Sequence, residues 1–418
     1  MKKILTLIVG CSLLMVVGCT RSGEERVSAD AFVRVSGTDL IRPDGSKLFI
    51  KGTNLGNWLN PEGYMFGFDK TNSAHFIDEM VRQLVGPDAA NQFWLLFKEN
   101  YITRADIDYI KQAGCNTIRL PFHYKLFTDE DYMGMASNRN EGFVRIDALV
   151  EWCRDAGLYL ILDMHDAPGG QTGDNIDDSY GYPWLFESKA SQALFADIWQ
   201  RIARRYKDEP VILGYELMNE PIAPYFDNMD SLNLRLASLY KIGVEAIRKE
   251  DPHHIILLGG AQWNSNFAQL YDTRFDKQIM YTCHRYGGEP TTQAIGHFIQ
   301  FRDSVQRPMY MGEIGHNTDE WMAAFCRTME TNNIGWTFWP YKKVDNSAFM
   351  GIRRPERWDS LVVRFAEAPR TTYKEIREVR PDHTEAMQAL MQFVEAARFE
   401  NCEVQQGYIR ALGLNPLP

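Results

Sequence analysis

Two glutamates stand where a pair of carboxyl groups could act on a single bond. Glu220 closes the run Tyr215-Glu216-Leu217-Met218-Asn219-Glu220-Pro221, and Glu313 closes Met309-Tyr310-Met311-Gly312-Glu313. Each follows a short apolar stretch, residues 211–217 and 308–311, that reads as a buried strand. A strand end that carries a carboxylate into a cleft is how barrel enzymes place their chemistry. Two such groups suit cleavage of a glycosidic bond, one protonating the leaving oxygen while the other attacks or assists at the anomeric carbon. Taken singly, each is as readable as an ordinary surface glutamate, so the elements around them must decide.

Those elements are regular. Short apolar runs read as strands over residues 49–54, 117–121, 159–164, 212–218, 255–259, 280–284, 309–313 and 335–339. Segments with a 3.6-residue period lie between them. Thr103 opens one with a Thr-x-x-Asp capping box to Asp106, ahead of apolar Ile107 and Ile110. Leu194, Phe195, Ile198, Trp199 and Ile202 form the stripe of another. Eight βα units in succession predict an α/β fold, a (β/α)8 TIM barrel. An open doubly wound sheet is the other reading, but the Gly-rich phosphate loop expected after its first strand is missing. A β-hairpin of residues 32–35 and 47–50 around Pro43-Asp44-Gly45 is expected before the barrel. A C-terminal helical extension is expected over 382–398, loosely structured beyond, with no linker to make it a separate domain.

On such a barrel the polar residues near strand ends gather at one rim: Arg119, His165, Asn219 with Glu220, His284 with Tyr286, Glu313 and Trp339. This set, in this order, resembles glycoside hydrolase family 5, the cellulase family of retaining glycosidases, over roughly residues 32–365. The resemblance implies that Glu220 is the acid/base and Glu313 the nucleophile. It also implies supporting roles: Arg119 and Tyr286 beside Glu313, Asn219 toward the sugar 2-hydroxyl, His165 and His284 as positioners, and Trp339 as a stacking floor. Chemically, Glu220 must stay protonated to donate and Glu313 must be ionised to attack. A cation a few ångströms away favours the ionised form.

Two further stretches resemble the exo-β-1,3-glucanase branch of that family. They are Lys51-Gly52-Thr53-Asn54-Leu55-Gly56-Asn57-Trp58-Leu59-Asn60-Pro61-Glu62 and His165-Asp166-Ala167-Pro168-Gly169-Gly170-Gln171-Thr172-Gly173-Asp174-Asn175. The resemblance implies that Glu62 and Asp174 bind hydroxyls of a non-reducing terminal glucose. Asn57 stands where that branch has Gly, the second loop is one residue shorter, and Tyr180-Gly181-Tyr182-Pro183-Trp184 has no counterpart in it. Exo-action on a β-glucan is the expectation. An endo-acting β-1,4-glucanase or β-mannanase shares the chemistry and differs in cleft shape. A non-catalytic glycan-binding lipoprotein would have no reason to keep both carboxylates, the Arg and the Tyr.

Composition bounds the partners. The chain has 418 residues, 45% hydrophobic and 12% aromatic, enough for one packed domain with rings to spare for stacking on sugar. Its formal net charge of −10 argues against nucleic acid or an anionic membrane surface and leaves a neutral β-linked glycan as a fitting partner. The N-terminus reads as a bacterial lipoprotein signal peptide: Met1-Lys2-Lys3, an apolar stretch over 4–17 too short to span a bilayer, then Val16-Val17-Gly18-Cys19. Residues 1–18 would be removed, Cys19 lipidated, 19–30 left as a flexible tether, and 31–418 form a single catalytic domain at the bacterial cell envelope. The remaining five of seven cysteines, Cys115, Cys153, Cys283, Cys326 and Cys402, lack framework spacing and read as buried thiols. No Cys-x-x-Cys or His-Glu-x-x-His motif suggests a metal, and no cofactor is expected.

Overall fold

Eight parallel strands close into a barrel: Lys51–Asn54, Thr117–His123, Tyr159–Asp166, Ile212–Glu216, Ile255–Gly259, Ile279–His284, Met309–Gly315 and Gly335–Trp339. The computed structural model describes residues 27–129, 140–273 and 275–416. The eighth strand pairs with the first, Trp336 opposite Lys51 and Phe338 opposite Thr53, which completes the circle. Both faces of these strands are buried, one against the barrel interior and one against helices, so their sequences run apolar rather than alternating. The helices form where the sequence pattern indicates. The Asp106 carboxylate accepts from the Thr103 backbone N–H at 2.7 Å to start Arg104–Ala113, and Lys189–Tyr206 buries Phe195, Ile198, Trp199 and Ile202.

The ends of the chain differ from expectation. The N-terminal hairpin is a three-stranded antiparallel sheet, because Asp39–Ile41 inserts between Arg34–Ser36 and Lys47–Leu48. Gly37, at φ +59, makes the extra turn, so the Pro43-Asp44-Gly45 turn joins the second and third strands instead. The first barrel strand therefore begins at Lys51, two residues later than expected. Val33, Leu40, Leu48 and Ile50 from this region pack with Ile161, Leu213, Ile255, Leu257, Met280 and Tyr310 and plug one end of the barrel. Each such burial stabilises by roughly 1.5–3 kcal/mol, and it leaves the strands' C-terminal rim as the open end.

The last residues of the expected tether, Ala29 and Asp30, lie in a short turn, and Phe32 behind them stacks on His253. Cys19 and the signal segment lie outside the described residues. Among the described residues no helix is long and apolar enough to cross a membrane.

At the other end, His383–Ala396 docks on the barrel, and the stretch beyond is more ordered than expected: Glu403–Val404 pairs with Met350–Ile352, followed by the helix Gln406–Ala411. Lys342 fastens this extension. Its buried ammonium donates to Asp106 at 2.6 Å, to the Tyr101 carbonyl at 2.7 Å and to the Ala397 carbonyl at 3.0 Å. The five described cysteines are free, and all but Cys402 are fully buried.

Candidate active site

Arg119 is the hub. It is the third residue of the second strand, lower in the barrel than a strand-end position, and its side chain is wholly buried. Nη1 donates to Glu313 Oε1 at 2.7 Å and to Asn54 Oδ1 at 3.1 Å. Nη2 and Nε bind the two oxygens of Glu216 at 2.7 and 3.0 Å, a planar fork on a planar carboxylate. Nη2 also reaches Asn219 Oδ1 at 2.8 Å and Asp163 Oδ2 at 3.0 Å. Glu216 and Asp163 stand in none of the motifs, and Asn54 stands in the stretch from Lys51 to Glu62 without a role implied for it. The sequence signal of Glu216 and Asp163 is an ionisable residue in an otherwise apolar strand, which is costly without a buried partner.

Glu313 sits within the seventh strand rather than closing it, since that strand continues to Gly315. The pairing register slips after Met311 against both neighbouring strands, and such an irregularity re-aims the side chain. Its Oε2 accepts from the Tyr286 hydroxyl at 2.5 Å. With Arg119 on one oxygen and Tyr286 on the other, the carboxylate is held in one rotamer.

Glu220 lies four residues beyond its strand, in left-handed backbone at φ +42, and Ile222 follows at φ +59. A β-branched residue in that region is strained and persists only where its surroundings fix it. Here the fixing segment is Gln171-Thr172. The Gln171 amide donates to the Asn219 carbonyl at 2.8 Å, Thr172 Oγ1 donates to the Glu220 carbonyl at 2.8 Å, and the Ile222 and Ala223 N–H groups donate to the carbonyls of Gln171 and Thr172. The Glu220 carboxyl meets His284 Nδ1 at 2.7 Å. Burial pushes it up to about 7, against the pull of the nearby His165 and Arg119. A proton-donating group at neutral pH needs that displacement.

One oxygen of Glu220 and one of Glu313 lie within 4.8 Å of each other. Retaining glycosidases space their carboxyls at about 5–5.5 Å, whereas inverting ones leave about 6.5–9.5 Å for a water. His284 completes a trio with these two carboxyls that is compact enough for a cation. Arg119 and Tyr286 hold the two oxygens of Glu313, and His284 Nδ1 meets one oxygen of Glu220, so the trio is joined by hydrogen bonds.

His165 Nδ1 meets Asp163 Oδ2 at 2.7 Å and Nε2 faces the Asn219 amide at 3.2 Å; burial lowers the imidazole to about 4, so it is neutral. Trp339 lies parallel to His165 with centroids 5.3 Å apart, and its indole N–H donates to the Tyr64 hydroxyl at 2.6 Å. The indole is 4% exposed, so its stacking partner here is the imidazole.

Glu62 lies 3.9 Å from His165 Nε2, with Oε1 buried and without a hydrogen-bond partner among the described residues. Burial, with Glu313 and Glu220 near by, raises its pKa well above the usual range. Asn57, the residue standing in place of Gly, takes a left-handed φ of +70 and accepts the Glu62 backbone N–H at 3.1 Å. Asp174 accepts from the Tyr225 hydroxyl at 2.6 Å and lines an open cleft with Glu220, Trp263 and Tyr286.

Comparison with known proteins agrees with this geometry. The family described as Cellulase (glycosyl hydrolase family 5) matches residues 79–345. A β-xylosidase of Phanerodontia chrysosporium is 34% identical over 61% of this chain and 52% of its own length, so the chain spans about half of that relative. Endoglucanase C of Acetivibrio thermocellus is 27% identical over 63% of this chain and 92% of its own length. A glucan 1,3-β-glucosidase of Candida oleophila is 32% identical over 48% of each chain. Among solved structures, rutinosidase from Aspergillus niger superposes with a TM-score of 0.58 at 17% identity, covering 72% of this chain and 92% of that one. A β-glucanase from Saccharophagus degradans gives 0.52 at 16%, covering 91% and 99%. At these identities the structural likeness establishes the barrel fold.

Proposed function

The chain belongs to glycosyl hydrolase family 5, the cellulase family of retaining O-glycosyl hydrolases, and from that membership we propose a retaining, exo-acting β-glucosidase of β-1,3 or related glucans. Glu313, held between Arg119 and Tyr286, is the nucleophile. It attacks the anomeric carbon as Glu220 passes its proton to the departing glycosidic oxygen. Glu220, now ionised, takes a proton from water, and that water opens the glycosyl-enzyme with net retention. Asn219, oriented by Arg119 and His165, is placed for the sugar 2-hydroxyl.

The observation that carries the exo reading is Glu62. Its buried, unpartnered oxygen beside His165 is a costly group to keep in a folded protein unless a ligand pairs with it. A terminal sugar hydroxyl supplies that partner. Relatives named β-xylosidase and glucan 1,3-β-glucosidase support the reading, and the endoglucanase relative marks the competing one. Chromatography of products from laminarin, cellulose and mannan tests it. Glucose released alone from laminarin is expected, and a ladder of oligomers from any of the three would replace exo with endo action. We further propose that Cys19 carries a lipid anchor at the cell envelope; loss of membrane fractionation in Cys19→Ala is the expected result.

A further inference from the structure

The turn after the fifth barrel strand is built in an unusual way. Gln262, Trp263 and Asn264 stand in succession at φ +49, +55 and +59. Left-handed backbone is disfavoured for residues with a Cβ and seldom occurs in consecutive positions. The turn is held by neighbours on every side. Ala261 and Asn266 exchange backbone hydrogen bonds at 2.8 Å, Asn233 accepts from the Gln262 amide at 2.9 Å, and Ser265 Oγ donates to the Gln262 carbonyl at 2.5 Å. Gly259 is required beneath it, because a Cβ there would lie 2.0 Å from Asn264 Oδ1.

The turn drives Asn264 fully into the interior, with its amide nitrogen 3.0 Å from His284 Nε2. Oδ1 of Asn264 has no hydrogen-bond partner among the described residues. Strain of this kind next to an active site points to a role for the group it positions.

An amide nitrogen can only donate. With the amide nitrogen turned to the ring, it donates and Nε2 accepts, which puts the single proton of a neutral His284 on Nδ1. That N–H points at Glu220 Oε1, 2.7 Å away, with Glu313 Oε2 at 3.5 Å. Glu220 Oε2 makes no hydrogen bond to a described residue, and the side chain is 13% exposed toward the cleft. We propose that Asn264 is a positioning residue: by fixing His284 in its Nδ1–H tautomer it occupies Glu220 Oε1 with a donor and confines the acid proton to Oε2, the oxygen open to substrate. In the other tautomer Nδ1 is an acceptor, and Glu220 would spend its proton on the ring instead of the glycosidic oxygen. The inference rests on the assignment of Glu220 as acid/base.

The charged and titratable groups facing this pair come from several strands and the segments beyond them: Glu313, Arg119, Glu216, Asp163, His165, Glu62, Tyr286 and Asp174. Among the described residues, the hydrogen bond to Nε2 comes from Asn264. The tautomer is thus set there, and the carboxyl groups act on the Nδ1 side.

Two measurements decide the matter. In 15N-histidine-labelled enzyme, with His284 assigned by comparison with His284→Gln, Nε2 should resonate as an unprotonated ring nitrogen and Nδ1 as a protonated one. A protonated Nε2 in the wild-type protein overturns the proposal, whether or not any Asn264 variant folds. In Asn264→Leu the two nitrogens should move toward averaged values. Turnover should then depend on the leaving group: a loss of about tenfold or more on unactivated glucosides, but less than about threefold on a dinitrophenyl glucoside that needs no acid. Equal losses on both substrates would mark Asn264 as merely structural. If Glu220 is not the acid/base, the azide experiment below fails while the ring resonances keep their assignment, so the two failures are separable.

Discussion

Nη1 of Arg119 stands 2.7 Å from Oε1 of Glu313, inside a barrel where the guanidinium has no exposed surface. The same group also holds Glu216 and Asp163, so one cation is surrounded by three carboxyl groups. Arg119 thereby both holds the nucleophile's carboxyl in place and partners the other two buried acids. Function and stability share one side chain.

Arg119→Met separates these contributions poorly but makes a strong prediction. Removing one member of a buried ion set leaves uncompensated charge and costs about 3–5 kcal/mol. A lost electrostatic support at the reacting group costs about 10²–10³ in kcat. Urea unfolding with native-state activity measured alongside should show both losses. A variant with wild-type stability would mean that Glu216 and Asp163 are neutral without their partner.

The pH profile follows from Glu220. Its carboxyl, raised to about 7 by burial, must be protonated in the free enzyme to donate. kcat/KM on an unactivated glucan oligomer should therefore fall as pH rises through about 7, roughly tenfold per unit beyond. Glu220→Gln on an activated aryl glycoside should lose that alkaline limb. A wild-type rate that still climbs at about pH 9 contradicts the assignment.

Glu62→Ala should weaken reaction with laminarin oligomers by about 1–3 kcal/mol in kcat/KM, because the terminal sugar loses a buried partner. Glu62→Gln should lose less, since an amide keeps one acceptor and adds donors without a charge beside Glu313 and Glu220. Unchanged kinetics in both variants, together with a ladder of products, would describe an open groove.

These residues were not equally legible in the sequence. Glu220, Glu313 and His284 were legible because a polar residue after an apolar run is a local signal, whereas Trp339, an aromatic in an apolar run, was legible only through the family resemblance. Asp163 and Glu216 carry the same signal one step earlier, inside the strand, but their partner Arg119 is distant in sequence and only closure of the barrel brings the three together. Asn264 gave no signal at all. Its role depends on three left-handed residues in succession, and neither Gln262 nor Trp263 is a residue type that marks such a turn. The inserted strand Asp39–Ile41 was lost for a simpler reason: at three residues it is too short to show a period.

Stereochemistry separates the two glutamates most cleanly. Consider Glu313→Gly and Glu220→Gly, each given an activated aryl β-glucoside with azide. Without Glu313 no glycosyl-enzyme forms, so azide entering the vacated space displaces the aryl group once and yields the α-azide. Without Glu220 the activated group still departs to Glu313, and azide then opens that intermediate to give the β-azide. The space for azide in each variant is that of the carboxyl removed, and the two carboxyls approach within 4.8 Å of each other. Proton NMR of the glycosyl azide distinguishes the anomers directly. Interchanged products would exchange the roles assigned here, and full activity in either variant without azide would remove that residue from the mechanism.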